Sequence, residues 1–312
     1  MASQRVLSLL PAATEMVFAL GAGNRLVGRS HECDFPLAAR SLPMVTESNI
    51  DPNLSSTQIH QAVGSTLSQN RPLFRILEDL ILDLKPDLIL TQETCAVCAV
   101  GTHEIESLLK RFPSSPPQIL ALSPTRFSHL WTDLRRIGQA LGLTDEGRSA
   151  ITLWKNRVVE VIQRIAHETN KPTVVCLEWL DPLMGAGNWI PELVELAGGI
   201  PKLGSAGKHC EWISIEDLTA TNPDVLISLP CGFDLPRTVR ETGVLLSTPS
   251  FQSLHAVRHG KVFAVDGKAY FNRPGPRLID SLEILADILH PHPKIQRPHP
   301  LQGWQPMIPK VI

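Results

Sequence analysis

The sequence predicts an α/β protein made of two similar parallel-sheet lobes, joined by one long backbone helix, with the ligand cleft between them. Three observations carry this reading. Strand-length apolar runs alternate with helical patterns along the chain. Segments of the first half recur in the second: Lys85-Pro86-Asp87-Leu88-Ile89-Leu90 before Cys95 parallels Asn222-Pro223-Asp224-Val225-Leu226-Ile227 before Cys231, and Glu15 to Gly21 parallels Glu192 to Gly198. A long helical block lies between the repeats. The expected division is a first lobe over 1–125, a linking block over 126–171, a second lobe over 172–290 and a Pro-rich tail over 291–312.

Arg5 to Leu10 reads as a buried strand, and Pro11 opens a helix over Ala12 to Leu20 that Gly21 and Gly23 terminate. Leu26 to Gly28 is a short second strand. Glu78 to Leu84 is helical and stops before Pro86, because proline pushes its predecessor out of the α region. Asp87 to Thr91 and Gln118 to Leu122 are strands. Leu130, Leu134, Ile137 and Leu141 stand at helical spacing, Gly142 breaks it, and Ile151, Trp154, Val158, Val161 and Ile165 resume it. Thr173 to Leu177 is the strand that opens the second lobe. The tail shows no periodicity and is expected to be extended or disordered, with Trp304 as an anchor of unknown destination.

With 43% hydrophobic residues in 312, the chain has enough apolar material for buried cores. A net charge of −2 without any basic run excludes nucleic acid as a partner. No stretch approaches the roughly 20 apolar residues of a membrane span. No leader precedes the first strand, so the chain as numbered reads as cytoplasmic, and as periplasmic if it is a processed mature form. Six cysteines without a leader favour reduced thiols. Hydrolase, phosphate-loop, zincin and dinucleotide motifs are all missing, which argues against an enzyme.

Five of the six cysteines stand where strand-like runs end, with two histidines beside them: His31 and Cys33, Cys95 and Cys98, His209 and Cys210, and Cys231. Ligands of open α/β sheets bind beyond the carboxyl ends of the strands, so these soft side chains stand where a small molecule or metal would sit.

Arg5-Val6-Leu7-Ser8-Leu9-Leu10-Pro11-Ala12-Ala13-Thr14-Glu15, the paired Pro-Asp strands, Gly260 to Val265, and Arg273-Pro274-Gly275-Pro276-Arg277-Leu278 together resemble the cobalamin and iron-siderophore substrate-binding proteins of ABC importers. The resemblance runs from about residue 5 to 290. Ser30-His31-Glu32-Cys33-Asp34-Phe35-Pro36, Thr91-Gln92 with Cys95 to Cys98, and Pro230-Cys231-Gly232-Phe233 look most like the cobalamin branch. The resemblance implies a rigid linking helix, little hinge motion, and cobalamin or a related corrinoid as ligand. It also implies one acid per lobe docking on an ABC transporter permease if the chain is exported: Glu78 or Asp79, and Glu216.

Candidate ligand contacts in the first lobe are Pro11, Thr14, His31, Glu32, Glu47 and Gln92. In the second they are Trp179, Trp189, His209, Trp212, Phe233 and Arg273. His31 is either an axial ligand for the corrinoid metal, because a neutral imidazole coordinates transition metals well, or a hydrogen-bonded loop histidine. Tryptophan suits the wall of a flat macrocycle, and Trp189 is the preferred wall; the plainer reading packs each indole into core. Gly204 to Gly207 suggests a mobile loop around His209. The alternative function is a metal-binding or thiol-redox protein on the same fold, holding zinc or iron through His31, Cys33, Cys95, Cys98 and Cys231. Cys95-x-x-Cys98 reads as half a metal site, a redox pair or two unrelated thiols, and the missing second CxxC favours cleft-lining thiols without metal.

Overall fold

Val6-Leu7-Ser8 is buried on both faces, the pattern of an interior parallel strand covered by helices on each side. In the computed structural model, which describes residues 4–93, 102–112, 115–291 and 303–307, it pairs with Leu26–Arg29 on one side and Leu88–Gln92 on the other. Gln118–Leu122 completes a parallel four-stranded sheet. The chain falls into two compact units: Met1–Pro124 with Leu130–Thr152, and Thr125–His129 with Leu153–Ile312.

In the first unit, Pro11–Ala19 is helical with proline at the start of the helix and a buried surface through Val17. Glu78–Leu84 ends at Lys85, which adopts the left-handed conformation (φ 43°) just before Pro86. Gly28 permits this helix to approach the sheet, because a Cβ there would stand 2.9 Å from both Leu7 Cδ1 and Leu84 Cδ1. Leu7, Leu9, Ile81, Ile89, Ile105 and Leu108 make the core under that helix. A separate antiparallel pair joins Thr46–Ser48 to Phe74–Ile76.

The second unit carries a mixed seven-stranded sheet. Thr173–Leu180, Val225–Ser228, Val262–Val265 and Ile200–Lys202 are mutually parallel where they pair. Leu183–Gly185 folds back antiparallel on Thr173–Leu180, and Glu211–Trp212 adds to it. The centre of this sheet is parallel as expected, and antiparallel strands are added at both edges. In the tail, the described residues 303–307 are extended, and Trp304 has a definite anchor. Trp304–Pro306 pairs antiparallel with Val262–Val265, and the Trp304 ring meets Phe263 edge-on at 5.7 Å. An otherwise open strand edge carrying Phe263 is covered by this segment, and three residues are too few to display a period of two.

His129–Ala140 and the 22-residue helix Thr144–Ile165 follow the predicted interruption at Gly142, whose φ is +69°. The long helix contributes residues through Thr152 to the first unit and the remainder to the second. Its later part is tied to the helix Leu278–Leu289 by Arg157, which pairs with Asp280 at 2.6 Å and Glu283 at 2.8 Å. Among the described residues, no helix is long and apolar enough to cross a membrane.

Candidate functional site

The carboxyl ends of the strands in each unit hold most of the predicted contacts, and the structure separates presented groups from enclosed ones. In the first unit, the loop after Leu26–Arg29 carries His31. Its ring lies against Phe74 with centroids 5.4 Å apart, and its Nδ1 stands 2.8 Å from Thr46 Oγ1. The same hydroxyl accepts the His31 main-chain N–H at 3.0 Å. A hydroxyl that accepts from Nδ1–H leaves the lone pair on Nε2, the arrangement of metal-ligating histidines, whose second nitrogen is oriented by a neighbour. The His31 side chain is 18% exposed, and its Nε2 lies 3.9 Å from Glu32 Oε1.

Several other predicted groups of this unit look inward, whereas Glu47 stays at the surface. Thr14 is buried and donates through Oγ1 to Ser8 Oγ at 2.8 Å, fastening helix to strand. Pro11 is buried at the helix start, and Gln92 is buried at its strand end. Cys33 is fully enclosed, with Sγ 3.2 Å from Ser30 Oγ and its thiol donating to Ser8 O at 3.8 Å. Glu47 pairs with Arg75 at 3.3 Å. Cys95 and Cys98 lie outside the described residues.

The sequence reasoning passed over three apolar side chains. Phe35, Leu37 and Met44 are all exposed, Leu37 at 73%, in the chain segment that continues from His31. The available signal was the apolar run Phe35-Pro36-Leu37 in a segment with neither helical nor strand period.

In the second unit the predicted aromatic walls are mostly core. Trp189, the preferred wall, is 9% exposed, and its indole N–H donates to Phe271 O at 2.8 Å. Trp179 donates to Asp181 O at 3.1 Å and packs on Phe233 at 5.3 Å. Phe233 is 2% exposed, with the Arg237 guanidinium 3.5 Å from its ring centroid. A buried indole must pair its N–H, and nearby main-chain carbonyls do so here. Arg273 is buried too. Trp212 differs: it is 56% exposed on the edge strand Glu211–Trp212.

The Gly-rich loop is packed, which corrects the expectation of mobility around His209. A Cβ on Gly185 would stand 1.9 Å from Leu203 O, and one on Gly204 2.1 Å from Ala186 O. Glycine here serves a close crossing of two backbones, held by Asn188 N–H on Lys208 O at 2.6 Å and Gly207 N–H on Asn188 O at 2.9 Å. His209 is exposed, with Nδ1 3.1 Å from Cys210 O.

Glu178 lies close to the Cys176 and Cys210 thiols. Burial, then the Glu178 carboxylate, pushes the Cys210 thiol well above the usual range. The same causes push Cys176 up to about 12. Cys231 donates its main-chain N–H to Glu178 O at 3.1 Å. Cys176 and Cys210 are therefore neutral thiols at ordinary pH, whereas metals bind thiolates. Among the described residues, no group of three or more His, Cys, Asp or Glu side chains is arranged to hold a metal ion.

The acids expected to dock have contrasting settings. Glu78 and Asp79 both pair with Arg111. Glu216 is exposed in the first turn of Ile215–Thr221, a helix started by the capping box of Ser214 and Asp217. It borders an open cavity of about 410 Å³ lined also by Ile215, Thr219, Ala220 and Ser250.

Residues 6–269 match the periplasmic binding protein family. The chain belongs to that family. Among its curated relatives is an uncharacterized ABC transporter substrate-binding lipoprotein of Bacillus subtilis, 20% identical over 92% of this chain and 80% of the relative. A vitamin B12-binding protein of Vibrio cholerae is 24% identical over 92% of this chain and 89% of the relative. Among solved structures, the periplasmic heme-binding protein RhuT of a Roseiflexus species superposes with a TM-score of 0.68 at 23% identity, covering 92% of this chain and 98% of that one. This periplasmic binding protein therefore has the two-lobe α/β fold of its family and is a transport-related binding protein rather than an enzyme.

Proposed function

We propose that this periplasmic binding protein carries a flat, metal-centred macrocycle, a corrinoid of the cobalamin type, for delivery to an ABC importer permease. The observation that carries the reading is His31, whose Nδ1 is engaged by Thr46 so that Nε2 is the nitrogen suited to an axial bond on cobalt. The exposed apolar groups Phe35, Leu37 and Met44 in the same segment suit the face of such a ring. Vitamin B12-binding relatives that align over most of the chain support the corrinoid choice.

Binding needs no covalent chemistry from the protein. Apolar surface supplies the driving force, polar groups at the rim orient the ring's amides, and a rigid scaffold keeps the ordering cost small. Glu216 is the proposed permease contact of the second unit, and Glu78 with Asp79 that of the first, where Arg111 must yield to a permease cation. The site of action is the periplasmic side of that permease.

Heme is the second reading, favoured by the same imidazole and by heme-binding structural neighbours. The thiol-metal alternative is weakened by the enclosure of Cys33 and by the neutral state of Cys176 and Cys210. Titration with hydroxocobalamin and with hemin, followed by absorption and calorimetry, separates the readings. Saturable binding of hydroxocobalamin with a band shift that His31→Ala abolishes is the expected result. Binding of hemin alone transfers the reading to heme. Saturation by neither compound overturns it, and an unchanged band shift in His31→Ala removes the axial role.

A further inference from the structure

Away from the carboxyl ends of the strands, the turn Asn222-Pro223-Asp224 enters the strand Val225–Ser228 of the second unit from its amino end. The helix His255–Arg258 packs beside this turn. Leu254, Ala256 and Val257 are buried and anchor it. Asn222 Oδ1 accepts the His255 main-chain N–H at 2.8 Å, so the turn caps the helix. Asp224 is fixed in turn, because its Oδ2 accepts from Thr173 N at 2.8 Å and Thr173 Oγ1 at 2.7 Å.

His255 and His259, four residues apart, project from the side of this helix left open. Their rings stack with centroids 3.9 Å apart and planes inclined by 25°. His259 Nδ1 lies 2.9 Å from His255 O. A carbonyl only accepts, so Nδ1 carries the hydrogen and the neutral ring keeps its lone pair on Nε2. His255 Nδ1 has no hydrogen-bond partner among the described residues, and Asp224 Oδ1 stands 4.0 Å from it. That carboxylate favours the proton on Nδ1, which again leaves the lone pair on Nε2. His259 thus has the carbonyl outer partner that characterises metal-bound histidine, and the Asp224 carboxylate stands beside His255 Nδ1, within reach of a small side-chain movement.

We propose that His255 and His259 form a surface site for one borderline divalent cation such as zinc, nickel or copper, held through both Nε2 atoms with Asp224 and the His255 carbonyl as outer partners. Nitrogens sharing a tetrahedral zinc stand roughly 3.3 Å apart, so the two rings are already at the right spacing, and on binding each must unstack by roughly 50° to turn its in-plane lone pair onto the common ion. Softer imidazole donors select these ions over magnesium or calcium. No third protein ligand joins among the described residues, so water fills the other positions and the ion remains exchangeable. The site lies at the amino end of its strand, independent of the macrocycle proposed above.

The test uses the full chain without an affinity tag, stripped with a chelator and titrated with zinc chloride. Modification by diethyl pyrocarbonate, mapped by mass spectrometry, reads each histidine separately. Zinc is expected to protect His255 and His259 with one shared midpoint while His209 stays reactive. His259→Gln should raise the midpoint for His255 about tenfold or more. The melting temperature of the wild type should rise with zinc and that of the His255→Gln/His259→Gln double variant should not. Circular dichroism of the unliganded variants confirms that they fold, since His259 is exposed and caps the helix end. The proposal is overturned if about 1 mM zinc protects neither histidine, or if His259→Gln leaves the His255 midpoint in place.

Discussion

The loop that carries His31 in the first unit and the Gly-rich crossing in the second both follow strand ends, yet they treat their functional side chains in opposite ways. The first orients an imidazole with a hydroxyl and leaves neighbouring apolar groups in solvent. The second encloses Trp179, Trp189 and Phe233 and presents Trp212 alone of its predicted aromatics. The antiparallel additions explain the difference. Leu183–Gly185 and the loop that crosses it cover the end of Thr173–Leu180, and the aromatic rings fill the space so created. Position at a strand end is therefore insufficient to nominate a ligand contact; what covers that end decides.

The contrast breaks most readily at Phe233. If it is core, Phe233→Ala should cost about 3–5 kcal/mol of stability in urea unfolding, with unchanged ligand affinity per folded molecule. A ligand defect without a stability loss would restore Phe233 as a wall. Gly204→Ala comes next, because its Cβ meets Ala186 O; about 1–3 kcal/mol of destabilisation is expected, read as a lower melting temperature.

Smaller effects sharpen the other side of the comparison. Thr46→Val removes the partner of His31 Nδ1 and should weaken hydroxocobalamin binding about tenfold, measured by calorimetry. Trp212→Ala should lower affinity by about 1–2 kcal/mol with a melting temperature close to the wild type, since the ring is already exposed. If instead Trp212→Ala unfolds the protein, the ring is structural.

The smallest effect concerns acid. Hydrogen bonds from Thr173 hold the Asp224 carboxyl below its usual range. A depressed folded pKa stabilises the protein above the unfolded value of about 3.9, and that contribution disappears as pH falls through the folded pKa. Thr173→Val should therefore lower stability slightly near neutrality and move the acid-unfolding midpoint slightly upward, with the difference from the wild type fading below the folded pKa. An unchanged midpoint would show that Asp224 contributes nothing by this route.

Much of the scaffold was legible because its signals are local. Pro11 at a helix start, the helix end before Pro86 and the break at Gly142 all follow from backbone preferences of single residues. Fully apolar runs such as Leu88-Ile89-Leu90 announce strands covered on both faces. The candidate site was legible only as a set of residue types at strand ends. His31 was found there, but its Thr46 partner lies on a distant strand. Arg111, which engages Glu78 and Asp79, is remote in sequence from both. Leu183–Gly185 and Trp304–Pro306 are too short to show a period, so the edges of the second sheet escaped notice.

By itself the sequence determined the alternation of strands and helices, their interruptions and the family to which the chain belongs, because hydrophobic period and the stereochemistry of proline and glycine act within a few residues. Tertiary structure alone decided which indoles are core, which thiol is enclosed and which histidine has an oriented ring. Those outcomes depend on which distant segment covers a side chain and supplies its hydrogen-bond partner, and no local pattern encodes that.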